Sequence, residues 1–214
     1  NAAAMRRALH LPAKGAVIAL LPGSRRSELM RHADLFVKTA LWLHKRHANI
    51  HFVAPFVSPE TRAIFEEALY RQGAWFLPVT IVANQSRDAM AAADIVLLAS
   101  GTATLEAALC KRPMAVAYKV NPASLFVAQS LGMLKTHRFS LPNILAGRDL
   151  VPELLQGDCT PVKLAAALTG MLDHPEAQSG MLDAFHDIHL QLKQGAAGLA
   201  ADAVLELLAG RPGC

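Results

Sequence analysis

Cysteine is scarce in this sequence, with three residues in 214, namely Cys110, Cys159 and Cys214. An odd number of widely spaced cysteines argues against a disulfide framework and for a reducing compartment. The longest uncharged stretch, residues 120–134, is too short and too polar to cross a bilayer. These scarcities argue against a small disulfide-stapled fold and against a membrane-spanning segment within residues 1–214.

Several ligand-binding signatures are also missing. The sequence has no G-x-G-x-x-G fingerprint, no P-loop and no Ser-His-Asp arrangement. It has no basic stripe interleaved with aromatic residues, so no nucleic-acid partner is expected. His186 and His189 lie three residues apart but lack a third ligand at a useful spacing. We therefore expect neither a metal nor another cofactor.

What the sequence does contain is apolar: 53% of its residues are hydrophobic and only 18% are charged, which predicts a well-packed core. Short apolar runs alternate with segments of helical periodicity, as in Leu29, Ala33, Phe36, Ala40 and Leu43. Runs that predict strands cover 16–21, 50–56, 75–83 (interrupted by Pro78), 94–99 and 113–120. Alternation of this kind predicts an α/β fold with a doubly wound parallel sheet.

After about residue 150 no further strand is predicted, and residues 160–174 and 197–210 have helical patterns. We therefore expect a ligand-binding α/β domain over residues 1–150 and a C-terminal helical extension over 151–214. A helix is also expected over 122–131. The net charge of +4 suits an anionic ligand or an anionic membrane surface.

Two strand-to-helix turns could bind an anion, and the first is LPGSRRSEL (21–29). Gly23 would allow close backbone approach to a ligand, and Ser24 or Ser27 could cap the following helix. Arg25 and Arg26 lie at the positive end of the helix dipole, which is unfavourable unless an anion joins them. The turn suits a phosphate, although an exposed arginine pair with ordinary capping is an open alternative.

The second turn lies in LASGTATLEAAL (98–109), where Ser100, Gly101 and Thr102 separate a predicted strand from a helix. Thr102 is the expected helix cap. Glu106 lies four residues later on the same helix face and would lean back toward the turn. Its carboxylate could accept hydrogen bonds from the two vicinal hydroxyls of a ribose, with the phosphates on the turn. A glutamate that merely suits the helix dipole is the alternative.

Two further segments are notable. Asn143, in SLPN, could recognise a base or a sugar, although an asparagine beside a proline more commonly stabilises a turn. The apolar residues 120–134 are flanked by Lys119, Lys135 and Arg138. Basic flanks beside an apolar face suit anionic lipid, so this segment is a candidate for peripheral membrane contact.

With these motifs in place, the sequence resembles the lipid-A-disaccharide synthases. The segments LLPGSRRSE, LLASGTATLEAAL, PMAVAYKVNP and SLPNILAGRDLVPELLQ follow one another in the order of that family. The similarity runs over nearly the whole chain but corresponds only to the second half of the family's proteins. It implies one Rossmann-like half of a GT-B fold, in which two such domains face each other across a cleft.

The resemblance also implies a function. The family joins UDP-diacylglucosamine to diacylglucosamine 1-phosphate with inversion, releases UDP, and works at the cytoplasmic face of the inner membrane as a peripheral enzyme. Its general base belongs to the N-terminal half, so we expect residues 1–214 alone to be inactive. The family forms dimers that exchange C-terminal parts, so a homodimer is expected.

By the same resemblance, Arg25 would meet the diphosphate of UDP, and Ser100, Gly101 and Thr102 would line the phosphate turn. Glu106 would hold the ribose hydroxyls, and Asn143 would help to close the UDP site. Two alternatives stay open: a sugar-nucleotide 2-epimerase, which would take UDP-N-acetylglucosamine without acyl chains, and a nucleotide-binding module without a reaction of its own.

Overall fold

The computed structural model describes residues 1–119, 138–193 and 195–209. Within these residues, six strands form one sheet in which all five neighbouring pairs are parallel. The strands are β1 (Ala16–Leu21), β2 (Ile50–Phe56), β3 (Val79–Ala83), β4 (Ile95–Ala99), β5 (Met114–Tyr118) and β6 (Glu153–Leu155). Their order across the sheet is β3-β2-β1-β4-β5-β6, which is the strand order of a Rossmann fold.

Helices connect the strands and cover both faces of the sheet. Those described are α1 (Ala2–Ala8), α2 (Arg26–Arg46), α3 (Pro59–Arg71), α4 (Ser86–Ala92), α5 (Ala103–Leu109), α6 (Leu141–Ala146), α7 (Pro161–Asp173), α8 (Ser179–Leu192) and α9 (Ala196–Ala209). Short 3₁₀ helices span Gln156–Asp158 and Pro175–Gln178. The helix expected over residues 122–131 lies outside the described residues.

The core consists of two apolar layers, one on each face of the sheet. Successive side chains of a strand point to opposite faces, so Ile18 and Leu20 of β1 pack under α2, α3 and α7, whereas Val17 and Ala19 pack under α4, α5 and α8. Burial on both faces explains why β1 reads as a continuous apolar run. Fully burying one side chain such as Phe36 contributes about 1.5–3 kcal/mol.

Local sequence fixes several element boundaries. Helix α3 begins with Pro59 in its first turn, after Ser58, whose hydroxyl accepts the backbone N–H of Thr61 at 3.2 Å. Strand β3 begins at Val79, directly after Pro78, because proline has no N–H to donate to the sheet. The observed strand therefore begins four residues later than the strand predicted over 75–83.

One expectation about the chain after residue 150 is wrong. Strand β6 extends the sheet to Leu155, with Val116 of β5 opposite Glu153. It has only three residues, all half-buried at the sheet edge, so it lacks the apolar run that identifies the inner strands. The helical patterns beyond it correspond to α7 and α9.

Candidate functional site

The two predicted turns lie side by side at the carboxyl edge of the sheet. Strands β1 and β4 are neighbours, with Leu21 opposite Leu98, and each leads directly into its turn. The chain then passes to α2 on one face and to α5 on the other. Strand order reverses between β1 and β4, and open α/β sheets bind ligands at such a topological switch point.

The first turn (residues 22–25) is closed by a side chain that the sequence analysis did not consider. Glu28 Oε2 accepts the backbone N–H groups of Ser24 (2.9 Å) and Arg25 (3.3 Å). The helix therefore begins with a glutamate that reaches back to the turn, and neither Ser24 nor Ser27 caps it, contrary to our expectation. A glutamate three residues into a helix is part of a known capping pattern, so this role was visible in the sequence.

The two arginines after this turn already have carboxylate partners. Arg25 Nη1 lies 3.0 Å from Glu28 Oε1, and Arg26 Nη1 lies 2.7 Å from Glu60 Oε1. Glu28 and Glu60 therefore supply the balancing negative charge, and the arginine pair needs no ligand anion, contrary to our expectation. Both arginine side chains nevertheless stay largely exposed, at 79% and 69%, so their remaining N–H donors face solvent.

The electrostatics of this helix start favour a charged carboxylate and a neutral imidazole. Burial alone would raise the pKa of Glu28, but hydrogen bonds from Ser24 and Arg25 outweigh it and hold the pKa below its ordinary value. Burial lowers the pKa of His32, one turn further along α2. Its Nδ1 lies 2.9 Å from the Glu28 carbonyl, and because a carbonyl only accepts, Nδ1 carries the proton.

The second turn comprises residues 100–102, and hydrogen bonds to α5 and to the segment around Phe139 hold it in place. Gly101 has a φ of +152°, and among the described residues other than its two chain neighbours no atom lies within 4 Å of the position its Cβ would take. Thr102 occupies the N-cap position of α5, as predicted, but its backbone angles are helical and its side chain makes no capping hydrogen bond. Instead, Thr104 Oγ1 donates to the Gly101 carbonyl at 2.7 Å. Among the described residues, nothing accepts a backbone hydrogen bond from Gly101 or Thr102.

Glu106 lies on α5 and is exposed to solvent. Its backbone N–H bonds to the Thr102 carbonyl at 3.2 Å, which fixes the helical turn that links the two residues. Within the described part of the chain, its carboxylate makes no hydrogen bond or ion pair. Glu106 is thus an exposed acidic residue in the first turn of α5, with no side-chain partner among the described residues.

The SLPN segment joins the second turn through two hydrogen bonds. Ser100 Oγ donates to the Phe139 carbonyl at 3.0 Å, and the Leu141 N–H donates to Thr104 Oγ1 at 3.2 Å. The ring of Phe139 also stacks on Tyr118, at the end of β5, with centroids 4.8 Å apart. The structure therefore brings together two of the motifs that the sequence shows about 40 residues apart.

Asn143 is buried, and its amide is fully engaged inside the protein. Its Nδ2 donates to the Val151 carbonyl (2.9 Å) and to Glu153 Oε1 (2.7 Å). Its Oδ1 accepts the N–H groups of Leu150 (2.7 Å) and Val151 (2.8 Å). A direct hydrogen bond from Nδ2 to a nucleotide would require one of its two donor bonds to break.

Glu153 is the centre of this network and was missed by the sequence analysis. Besides Asn143, its carboxylate accepts the N–H groups of Phe139 and Ser140, each at 2.9 Å, and the Ser140 hydroxyl at 2.5 Å. Ser140 in turn is the cap of α6. No local pattern marks Glu153, because its partners lie 10 to 14 residues away along the chain.

Residues 1–119, 138–193 and 195–209 contain neither a metal-binding cluster nor a membrane-spanning helix. No three His, Cys, Asp or Glu side chains there lie close enough to hold a metal ion. None of the helices in these ranges is both long and apolar enough to cross a bilayer. The apolar segment 120–134 is outside them.

The fold defines the class of protein. This sheet with its flanking helices is one Rossmann-like half of a GT-B fold, as predicted. WaaG, a glycosyltransferase involved in lipopolysaccharide biosynthesis, superimposes with a TM-score of 0.57 at 15% identity, over 99% of this chain and 52% of WaaG. UDP-GlcNAc 2-epimerase from Neisseria meningitidis, bound to UDP-GlcNAc, superimposes with a TM-score of 0.57 at 18% identity, over 88% of this chain and 48% of the epimerase. At such identities the likeness concerns the fold alone.

Sequence comparison is more specific. The family model for lipid-A-disaccharide synthetase matches residues 1–205. Lipid-A-disaccharide synthase from Xanthomonas campestris is 46% identical over 209 residues, which are 97% of this chain and 48% of that protein. The chain belongs to the lipid-A-disaccharide synthetase family, as the motifs predicted. It spans about half the length of the curated relatives that it matches.

Proposed function

We propose that this chain forms the UDP-sugar-binding half of an inverting glycosyltransferase of lipid A biosynthesis. The complete enzyme would join UDP-diacylglucosamine to diacylglucosamine 1-phosphate and release UDP. Membership of the family supports this reaction. The observation that carries it is the pairing of the two turns across β1 and β4, because a switch point with an arginine on one side and a carboxylate on the other suits a nucleoside diphosphate.

In this proposal the first turn binds the phosphates. The exposed guanidinium of Arg25 meets the diphosphate, while Gly23 and Ser24 shape the turn behind it. When the sugar leaves UDP, negative charge builds up on the diphosphate, and a fixed positive charge stabilises that change. An arginine in this position supplies electrostatic stabilisation without a metal, and we expect no metal or other cofactor.

The second turn completes the nucleotide site. Gly101 and Thr102 have backbone N–H groups for phosphate oxygens, and Ser100 fixes the turn to the SLPN segment. Glu106 accepts hydrogen bonds from the two ribose hydroxyls, since two carboxylate oxygens match two vicinal donors. We assign Asn143 an indirect part, because its amide supports the segment that borders the turn.

Transfer itself needs groups beyond this site. An acceptor hydroxyl must lie in line with the anomeric carbon, with a base within reach of its proton. The acceptor is a lipid, and we assign its binding and the base to the other half of the GT-B fold.

We further propose peripheral contact with the cytoplasmic face of the inner membrane through residues 119–138, and a homodimer. Val204 and Leu205 of α9, more than half exposed, are candidate dimer contacts.

The experiment measures UDP binding and disaccharide formation on one preparation of residues 1–214. We expect UDP to bind and no sugar to be transferred, because positioning both reactants supplies about 7–11 kcal/mol of barrier reduction and needs both walls of a cleft. Adding the N-terminal half of a family member in trans should then restore transfer. Failure to bind UDP would refute the proposed site, and turnover by residues 1–214 alone would refute the assignment of the base.

A matched substrate test separates the epimerase alternative. The proposed enzyme requires acyl chains on the donor, so the reconstituted protein should use UDP-diacylglucosamine and leave UDP-N-acetylglucosamine unchanged. Conversion of the latter to its 2-epimer would contradict the proposal.

A further inference from the structure

The carboxylate of Glu28 makes three hydrogen bonds at the first turn. One carboxylate oxygen accepts the backbone N–H groups of Ser24 and Arg25, at 2.9 and 3.3 Å. The other accepts Arg25 Nη1, at 3.0 Å. The same carboxylate therefore holds both the backbone of the turn and the side chain that follows it.

Gly23 makes this arrangement possible. Its φ of +134° is a conformation that side-chain-bearing residues rarely adopt. A Cβ at this position would also lie 2.4 Å from Glu28 Cβ and 2.8 Å from Glu28 Oε2. Gly23 is thus required because Glu28 occupies the space above the turn, which leaves no need for a ligand to explain the glycine.

These contacts divide the donors of the turn into two groups. The N–H groups of Ser24 and Arg25, and one N–H of the guanidinium, are taken by Glu28. The other guanidinium donors of Arg25 belong to a side chain that is 79% exposed. An incoming phosphate would thus find the arginine fork available and these two backbone donors occupied.

We propose that Glu28 is a positioning residue for the diphosphate: it occupies these backbone donors and aims the Arg25 guanidinium, so that Arg25, and neither of these N–H groups, binds the phosphate. This inference rests on the proposed function. Its physical basis is preorganisation, because an arginine side chain that is already ordered loses less entropy when the ligand arrives.

Competition is the opposite possibility, in which Glu28 mimics the phosphate and must be displaced by it. The hydrogen bonds that lower the pKa of Glu28 favour its ionised, bound form and oppose displacement. The two mechanisms predict opposite signs for the same variant. Removing the charge of Glu28 weakens UDP binding if Glu28 positions Arg25, and tightens it if Glu28 competes with the phosphate.

The test compares Glu28→Gln with wild type by calorimetry, using UDP and uridine as ligands. We expect about tenfold weaker UDP binding, since a charge-assisted hydrogen bond becomes a neutral one, and uridine binding within about twofold of wild type. Glu60→Gln is the matched control, because it removes the same charge from the neighbouring Arg26 pair without touching the turn. It should leave both affinities unchanged.

A second arm places Glu28→Gln in an Arg25→Ala background. Because this background has no guanidinium to position, adding Glu28→Gln should cause no further loss of affinity that is specific to UDP. Tighter UDP binding by Glu28→Gln would overturn the proposal in favour of competition. Equal losses for UDP and uridine would reduce Glu28 to a structural cap.

A ligand-free measurement keeps this inference separate from the proposed function. NMR relaxation of the Arg25 side-chain N–H should show an ordered guanidinium in wild type and in Glu60→Gln, and a mobile one in Glu28→Gln. Equal mobility in all three proteins would overturn the positioning role even if UDP binds. Absence of UDP binding by wild type would instead contradict the proposed function.

Discussion

Replacing Asn143 by alanine distinguishes a structural asparagine from a ligand-binding one. The substitution removes four hydrogen bonds, of which one reaches the Glu153 carboxylate, and leaves the buried backbone groups of Val151 without their partners. Neutral hydrogen bonds contribute about 0.5–1.5 kcal/mol each and bonds to charged groups about 1.5–3, so the expected loss of stability is about 4 kcal/mol. For a chain of this size the melting temperature should fall by about 10 °C.

The assay is thermal unfolding followed by circular dichroism, together with UDP calorimetry well below the transition. Asn49→Ala is the control, because Asn49 is exposed at the opposite edge of the sheet and its loss should cost less than about 0.5 kcal/mol. An unchanged melting temperature combined with lost UDP binding would refute our reasoning, since it would show that the amide serves the ligand and not the fold.

Asn143→Asp gives a pH test of the same network. It keeps an acceptor for Leu150 and Val151 but places a carboxylate beside Glu153, where burial and the like charge raise the pKa of the new group in the folded state. A raised folded-state pKa means that stability is retained at low pH and lost as pH rises through that pKa. The variant should therefore gain stability relative to wild type on acidification. A constant difference across pH would contradict the contact with Glu153.

The other predictions concern the ligands. Arg25→Ala should weaken UDP binding by about 10–100-fold and uridine binding far less, because a charge-assisted bond to phosphate is worth about 1.5–3 kcal/mol; equal losses would exclude the phosphate role. Glu106→Gln should weaken binding of UDP but not of 2′,3′-dideoxy-UDP, and harm to both would make Glu106 a structural residue. Residues 1–214 should sediment with anionic vesicles and be released when about 1 M salt shortens the Debye length to about 3 Å; equal binding to neutral vesicles would exclude the electrostatic contact.

Much of the fold could be predicted from local pattern. Alternating apolar runs and helical periodicities identified strands β1 to β5 and most of the helices between them. They could do so because burial imposes a period that is visible in adjacent residues. The motifs likewise identified the family. Strand β6 escaped, since an edge strand of three half-buried residues is paired by backbone hydrogen bonds and needs no apolar signature.

The sequence therefore indicated which residues form the site, whereas the tertiary structure decided which hydrogen bonds connect them. The sequence alone determined that Arg25 lies in one strand-to-helix turn and that Glu106 follows the other, and parallel pairing then required both turns to share one edge of the sheet. The glutamate at the third position of α2 matches a local capping pattern, but only the folded chain decided that Glu153 holds the Asn143 amide. Hydrogen bonds between residues 10 or more positions apart depend on how the chain returns to itself, and no local pattern encodes that return.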